Sequence, residues 1–300
     1  MAEKANAIRG VIPAVMTPLS EDGSVDYAAM EKHMAYLSDA GVDGFFIGGT
    51  TAEGPFLTVE ERKEAFRLAR SVTGGKKTLY VVILRPHTDQ VIAELLDFME
   101  LEPDYAAAVT PFYYGVSQET VADHYRRMAD ASPVPIMLYN IPQNTHNTIA
   151  VSTVLKLAEH PNILGIKDSS GNFLDFTHGI LSTADTDFAW IQGEDRIDAP
   201  SLLLGAPGLV TGLGNVHIEP YVRMFRAAQA GDAEGVKREQ KMINAMAQII
   251  DAADGAVIPA IKMGAAILGR GSSRMRIASD TLPEKVRPEL QRILSDVGVL

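Results

Sequence analysis

Eight short apolar runs rich in β-forming residues recur along this chain at intervals of roughly 20 to 35 residues, with helical periodicity between them. They lie at 11–18, 44–49, 78–84, 105–111, 135–141, 163–168, 188–193 and 208–214. Near-continuous apolar strands imply a sheet covered on both faces, hence a parallel one. Eight successive βα units predict a closed (β/α)8 TIM barrel, with an open doubly wound sheet as the competing arrangement. A chain of 300 residues that is 46% hydrophobic has the material for such a core. Helix starts are legible too: Asp26 and Ser117 are cap residues, and Thr58-Val59-Glu60-Glu61 is a capping-box signature. Tyr27, Met30, Met34 and Leu37 then share one helix face, as do Val121, Tyr125 and Met128.

Beyond residue 216 the strand signal ends, and helical segments follow at 218–230, 232–252, 258–268 and 284–297. The first is expected to complete the barrel. The expected organisation is a barrel over 1–230 and a C-terminal helical extension over 231–300, with its joint within Gly255-Ala256-Val257-Ile258-Pro259.

Several function classes drop out. With no cysteine there is no disulfide, thiolate nucleophile or thiolate metal site. The seven histidines show no ligand spacing, so no metal is expected. A net charge of −11 without a Lys/Arg run argues against nucleic acid, though a local pocket can still bind an anion. MAEKANAIRG lacks the apolar core of a leader, and no apolar run reaches membrane-spanning length. A cytoplasmic protein is the expectation.

In a barrel of this kind, reactive groups sit at the C-terminal ends of the strands. Those ends carry Thr17, Gly49-Thr50-Thr51-Ala52-Glu53, Arg85, His87, Thr110 to Tyr114, Tyr139-Asn140, Lys167-Asp168, Gly193-Glu194 and Thr211. Lys167 is the anomaly, because an ammonium ion at the end of the run Ile163-Leu164-Gly165-Ile166 is costly to bury. Burial favours the neutral amine, which attacks a ketone to form an iminium, an electron sink for the neighbouring carbon. Alternatively, Lys167 pairs with Asp168. Tyr139 ends the preceding strand, close enough to move protons for such a reaction or simply to pack. Gly48-Gly49-Thr50-Thr51 offers backbone N–H groups and hydroxyls suited to a carboxylate, or is only a βα turn. A ketone beside a carboxylate is a 2-oxo acid, with pyruvate as a small example.

Four motifs in order make the chain resemble the dihydrodipicolinate synthase/N-acetylneuraminate lyase family of class I pyruvate-dependent aldolases. They are Gly49-Thr50-Thr51-Ala52-Glu53, Pro111-Phe112-Tyr113, Tyr139-Asn140-Ile141-Pro142 and the run Lys167 to Gly171. The resemblance spans residue 8 to the C-terminal helices, and the family fold is a (β/α)8 barrel with a helical C-terminal domain. It implies that Lys167 is the Schiff-base lysine and Tyr139 the proton shuttle. Thr50 would relay protons between Tyr139 and a second tyrosine, Tyr113, which in this family reaches the active site of a neighbouring subunit. Gly49, Thr51 and the nearby backbone would hold the pyruvyl carboxylate, and Val210 would lie beside the pyruvyl group. A homo-oligomer, a dimer of dimers, is implied, and no metal or organic cofactor, since the iminium serves as the electron sink.

The sequence departs from the synthases at three places. Their tyrosine motif continues to an arginine that binds the carboxylate of aspartate semialdehyde; here Asn144 stands there and offers no cationic fork. The third strand ends in Leu84-Arg85-Pro86-His87, where Arg85 either reaches inward to a distal carboxylate or sugar-acid hydroxyl or pairs with acidic residues. Glu194 matches an acidic stretch that contacts substrate hydroxyls in neuraminate lyases, while Asp195 is a candidate helix cap. The expected function is a lyase acting through Lys167 on a pyruvate-derived 2-oxo acid, such as a 2-keto-3-deoxy sugar acid, by cleavage, condensation or dehydration. Dihydrodipicolinate synthase itself is one alternative. A non-catalytic sugar-acid binding protein is another.

Overall fold

Apolar, β-branched and aromatic runs form the strands, and each ends where glycine, proline or a hydroxyl residue takes over. The computed structural model describes residues 8–300, so most of the stretch read against a leader lies outside the described residues. The strands are β1 (Gly10–Pro13), β2 (Gly44–Ile47), β3 (Thr78–Ile83), β4 (Tyr105–Val109), β5 (Ile136–Asn140), β6 (Ile163–Asp168), β7 (Ala189–Gln192) and β8 (Gly208–Thr211). Each expected run contains its strand, except that β1 begins one residue early at Gly10, and most runs outlast their strand. The surplus residues leave the ladder to build the barrel mouth: after Thr211 the chain turns at Gly212 into the 3-10 turn Leu213–Asn215.

The sheet order is β1-β8-β7-β6-β5-β4-β3-β2, and the paired strands are parallel. Hydrogen bonds from Asp43 N to the Val11 carbonyl (2.9 Å) and from Val15 N to the Phe46 carbonyl (3.2 Å) bring β1 and β2 together. The open-sheet alternative is thereby excluded.

Eight helices follow the strands: α1 (Tyr27–Asp39), α2 (Val59–Thr73), α3 (Thr88–Phe98), α4 (Gln118–Ala131), α5 (Val151–Leu157), α6 (Phe173–Ser182), α7 (Asp198–Leu203) and α8 (Glu219–Gln229). The caps form as the sequence implies. Asp26 accepts from Ala29 N, Ser117 accepts from Thr120 N, and Thr58 and Glu61 bond reciprocally at the start of α2. Beyond the barrel come α9 (Ala233–Met246), a single turn at Gln248–Asp251, α10 (Val257–Ile267) and α11 (Arg287–Asp296). The joint before α10 is Asp254-Gly255, both left-handed, while Pro259 sits harmlessly in the first turn of the helix. No described helix is long and apolar enough to cross a membrane.

Strand side chains alternate between two buried layers. Val81, Ala106, Leu138 and Ile166 face the helices, while Phe46, Val82, Val109, Tyr139, Ile191 and Val210 fill the barrel. One irregularity positions the site. Ile136 pairs with Ile163, but the next residue, Met137, pairs with Gly165, so Leu164 is an extra residue in β6. Such a bulge reverses the facing of everything after it. Ile163 and Ile166 both face the helices, and Lys167 consequently falls on the inner face opposite Tyr139.

Candidate active site

Lys167 is 5% exposed, in register with Tyr139 on one side and Ile191 on the other. Its Nζ lies 3.9 Å from the centroid of the Tyr139 ring and 4.5 Å from that of Phe46. The two rings meet edge to face at 5.6 Å. Among the described residues no carboxylate pairs with Lys167, so its nitrogen is not committed to an ion pair. Asp168 projects to the opposite face of the strand, where it accepts from Asn140 Nδ2 and Ser170 N, each at 3.0 Å. Burial pushes the Asp168 carboxyl above the usual carboxylate range.

Tyr139 is buried, and its hydroxyl lies 3.1 Å from Thr50 Oγ1. Thr50 begins the 3-10 turn Thr50–Ala52, reached through left-handed Gly48. The first N–H groups of such a turn have no partner within it and are free for an anion. Thr51 is buried beside Gly212, where a Cβ would come within 3.1 Å of the Thr51 hydroxyl. Val210 lines the inner wall on β8, in the layer that holds Tyr139 and Phe46.

Of the remaining candidates, only Asn144 shares a cavity with this cluster, the one that adjoins Thr50. Tyr113 is 77% exposed with φ +82°, its ring edge-on to that of Tyr114. Asn147 holds that loop: its amide donates to the Pro111 and Tyr114 carbonyls and accepts from Val116 N. Arg85 turns to buried Glu94, with Nε 2.6 Å from Oε2, and Arg62 bonds the other carboxylate oxygen. Asn144 is exposed on the single helical turn Pro142–Thr145. Glu194, not Asp195, caps the turn after β7, accepting from Arg196 N. The reason is that Asp195 is engaged elsewhere, accepting from the Thr211 hydroxyl. Burial raises the Asp195 carboxyl to about 6.

A cavity of about 140 Å³ adjoins Thr50, lined by Leu84, Val109, Phe112, Ile141, Asn144 and neighbouring residues, with no charged side chain among them. Two further residues shape the site. Phe46 supplies a wall against the lysine, but within an apolar strand nothing distinguishes it from core. At Gly193 an added Cβ would stand 3.1 Å from Lys167 Cε and 2.3 Å from Ser169 Oγ, so a side chain there would press on the lysine. The glycine's place at a strand end was a usable signal. No group of three or more acidic or histidine residues converges as metal ligands among the described residues.

The dihydrodipicolinate synthetase family model matches residues 7–297. An uncharacterised DapA-like lyase of Halobacterium salinarum is 30% identical over 98% of this chain and 95% of its own. A 4-hydroxy-tetrahydrodipicolinate synthase of Methanospirillum hungatei is 30% identical over 95% of this chain and 98% of its own. Among solved structures, the dihydrodipicolinate synthase of Acinetobacter baumannii complexed with pyruvate is 27% identical. It superimposes with a TM-score of 0.92 over 98% of this chain and 100% of that one. YagE of E. coli K12, a prophage protein of the same family also in complex with pyruvate, is 25% identical with a TM-score of 0.92. That match covers 98% of this chain and 99% of YagE.

Proposed function

The chain belongs to the dihydrodipicolinate synthetase family and is a pyruvate-dependent lyase, and we propose that Lys167 is its Schiff-base nucleophile, acting on a 2-oxo acid whose distal part is uncharged. The observation that carries this reading is the inward-facing trio: Lys167 Nζ against the Tyr139 ring and Tyr139 OH within 3.1 Å of Thr50 Oγ1.

In the proposed sequence, Lys167 Nζ attacks the ketone carbon of the 2-oxo acid. The carbinolamine oxygen leaves as water, taking a proton delivered through Tyr139 and Thr50. The resulting iminium accepts the electron pair of the C3–C4 bond as it breaks, the C4 hydroxyl gives its proton to Tyr139, which later supplies it to C3, and an aldehyde departs. The enamine left behind is protonated at C3, and water then releases pyruvate and the amine. Run in reverse, the same steps condense pyruvate with an aldehyde. Loss of a hydroxyl from the carbon beyond the enamine would be dehydration on the same iminium. Thr51 and the N–H groups of its turn hold the carboxylate in this reading, with Gly49 giving them room and Val210 packing on the pyruvyl carbon. Tyr113 serves the site of a neighbouring copy in a homo-oligomer.

The distal fragment occupies the cavity beside Thr50. A cavity of about 150 Å³ accommodates benzene, a molecule of six heavy atoms. The 140 Å³ here therefore suits a fragment of that size, such as the glyceraldehyde portion of a 2-keto-3-deoxy sugar acid. Aspartate semialdehyde brings a carboxylate, for which this cavity has no cationic fork. Asn144 occupies the arginine position, and Arg85 is engaged by Glu94.

Borohydride reduction in the presence of pyruvate, followed by peptide mass spectrometry, tests the nucleophile. A pyruvyl adduct is expected on Lys167 and none in Lys167→Ala; its absence from the wild type removes the reading and leaves a binding protein. A panel of 2-oxo acids assayed for pyruvate release tests the substrate class. Faster turnover of aspartate semialdehyde with pyruvate than of any uncharged aldehyde would restore the synthase reading.

A further inference from the structure

The turn that carries Thr50 and Thr51 ends at Glu53, whose backbone is left-handed (φ +58°, ψ 33°). A non-glycine residue stays there only where its surroundings hold it. Two contacts from the C-terminal extension do so. Glu53 Oε1 accepts from Lys262 Nζ at 2.7 Å, and Oε2 accepts from the backbone N of Arg276 at 2.8 Å. Lys262 lies on α10, is wholly buried, and has Glu53 as its salt-bridge partner. The Arg276 guanidinium is anchored in turn to Glu61 on α2 and to the Gly23 carbonyl. The turn has little slack: Glu53 N bonds the Thr50 carbonyl at 2.9 Å, and at Gly54 a Cβ would stand 2.0 Å from the Gly48 oxygen. The residue beside Lys262, Ile261, shares with Thr51 the space beside Gly212, where an added Cβ would stand 3.4 Å from Ile261 Cδ1 and 3.1 Å from Thr51 Oγ1.

We infer that Lys262 is a positioning residue: by clamping Glu53 it sets the Thr50–Thr51 turn against Tyr139, so the C-terminal helices determine the geometry of a site to which they contribute no reacting atom. The inference rests on the roles proposed above for Thr50 and Thr51. A buried ammonium is costly to leave without a partner, so the pair tolerates little drift of the turn relative to α10.

The test uses pyruvate alone, through exchange of its methyl protons in D₂O followed by NMR, together with borohydride trapping. The variants are Lys262→Met, the milder Glu53→Gln, and the double variant, which removes both charges. Asp232→Ala, which deletes the cap of α9, is the control for loss of stability in the same part of the molecule. In folded protein well below its melting temperature, Lys262→Met and the double variant are expected to exchange pyruvate about 10²-fold more slowly, the cost typical of a displacement near 1 Å. The loss is expected mainly in kcat, with a changed pH profile, while Asp232→Ala keeps the wild-type rate. If Lys262→Met does not fold, Glu53→Gln must show the same kcat loss. Wild-type exchange in whichever of these variants fold overturns the inference while leaving Lys167 in place. A wild type that forms no adduct overturns both the function and this dependence upon it.

Discussion

At residue scale the proposed chemistry depends on room around Lys167 and on a pair of hydroxyls. Tyr139 OH and Thr50 Oγ1, 3.1 Å apart, form the proton path proposed for carbinolamine formation and loss. Tyr139→Phe keeps the ring that packs against Lys167 and Phe46, so the fold and melting temperature should hold while pyruvate exchange slows by about 10²-fold or more. An unchanged rate removes Tyr139 from the chemistry. Gly193→Ala probes the opposite requirement. The new methyl collides with Ser169 Oγ, which can turn away, but also crowds Lys167 Cε and the Asp168 carbonyl. We expect adduct formation to slow at least about tenfold, the cost of a displaced nucleophile. Normal trapping kinetics in a folded Gly193→Ala protein would show that the lysine has space to spare.

At element scale, the strand ends and the turns after them carry the proposed reacting groups, while helix-to-strand contacts tie the frame together. His124, on α4, donates from Nε2 to the Val109 carbonyl at 3.2 Å and accepts at Nδ1 from Thr88 at 2.9 Å, so it bridges α4, β4 and α3. Burial holds its ionisation at about 4, against an ordinary 6.5. The unfolded chain therefore binds more protons between those values. The contribution is fully present above pH 6.5 and is lost as pH falls towards 4, by up to about 3 kcal/mol. Asp195, raised to about 6, has the opposite slope over part of the window, so the useful reading is wild type against variant. Urea unfolding across pH 4 to 7 should show a flatter dependence for His124→Gln; equal slopes would contradict the assignment.

At the scale of the whole molecule, we propose that the barrel alone does not complete its site. Tyr113 projects into solvent on a loop held by Asn147, far more exposed than a residue serving its own barrel would be. If it acts in a neighbouring copy, two inactive variants must complement each other. Mixing Lys167→Ala with Tyr113→Phe, after mild dissociation and reassembly, creates sites that combine an intact lysine with the other chain's intact tyrosine. Activity should rise well above that of either variant alone. No gain on mixing, with hybrid oligomers demonstrated, would confine Tyr113 to its own chain. The C-terminal helices bear on the same site by position alone, through the Lys262–Glu53 ion pair. We accordingly propose a division of the chain near residue 230 into a barrel that holds the reacting groups and a helical unit that positions them.

The sequence by itself determined the eight strands, the helices with caps at Asp26, Thr58 and Ser117, and the presence of Lys167 and Tyr139 at neighbouring strand ends. These are local properties, written in periodicity and in residues whose preferences act over a few positions. Only the tertiary structure decided which way those side chains face. The extra residue at Leu164 turns Lys167 inward and Asp168 outward, against the simple alternation of the strand. Buried Glu94 takes Arg85, and Lys262 reaches Glu53 across 209 residues of chain. A bulge is a property of register between two strands, and a buried ion pair is a property of two distant segments desolvated together. Neither leaves a local trace, so both become visible only when the chain is closed on itself.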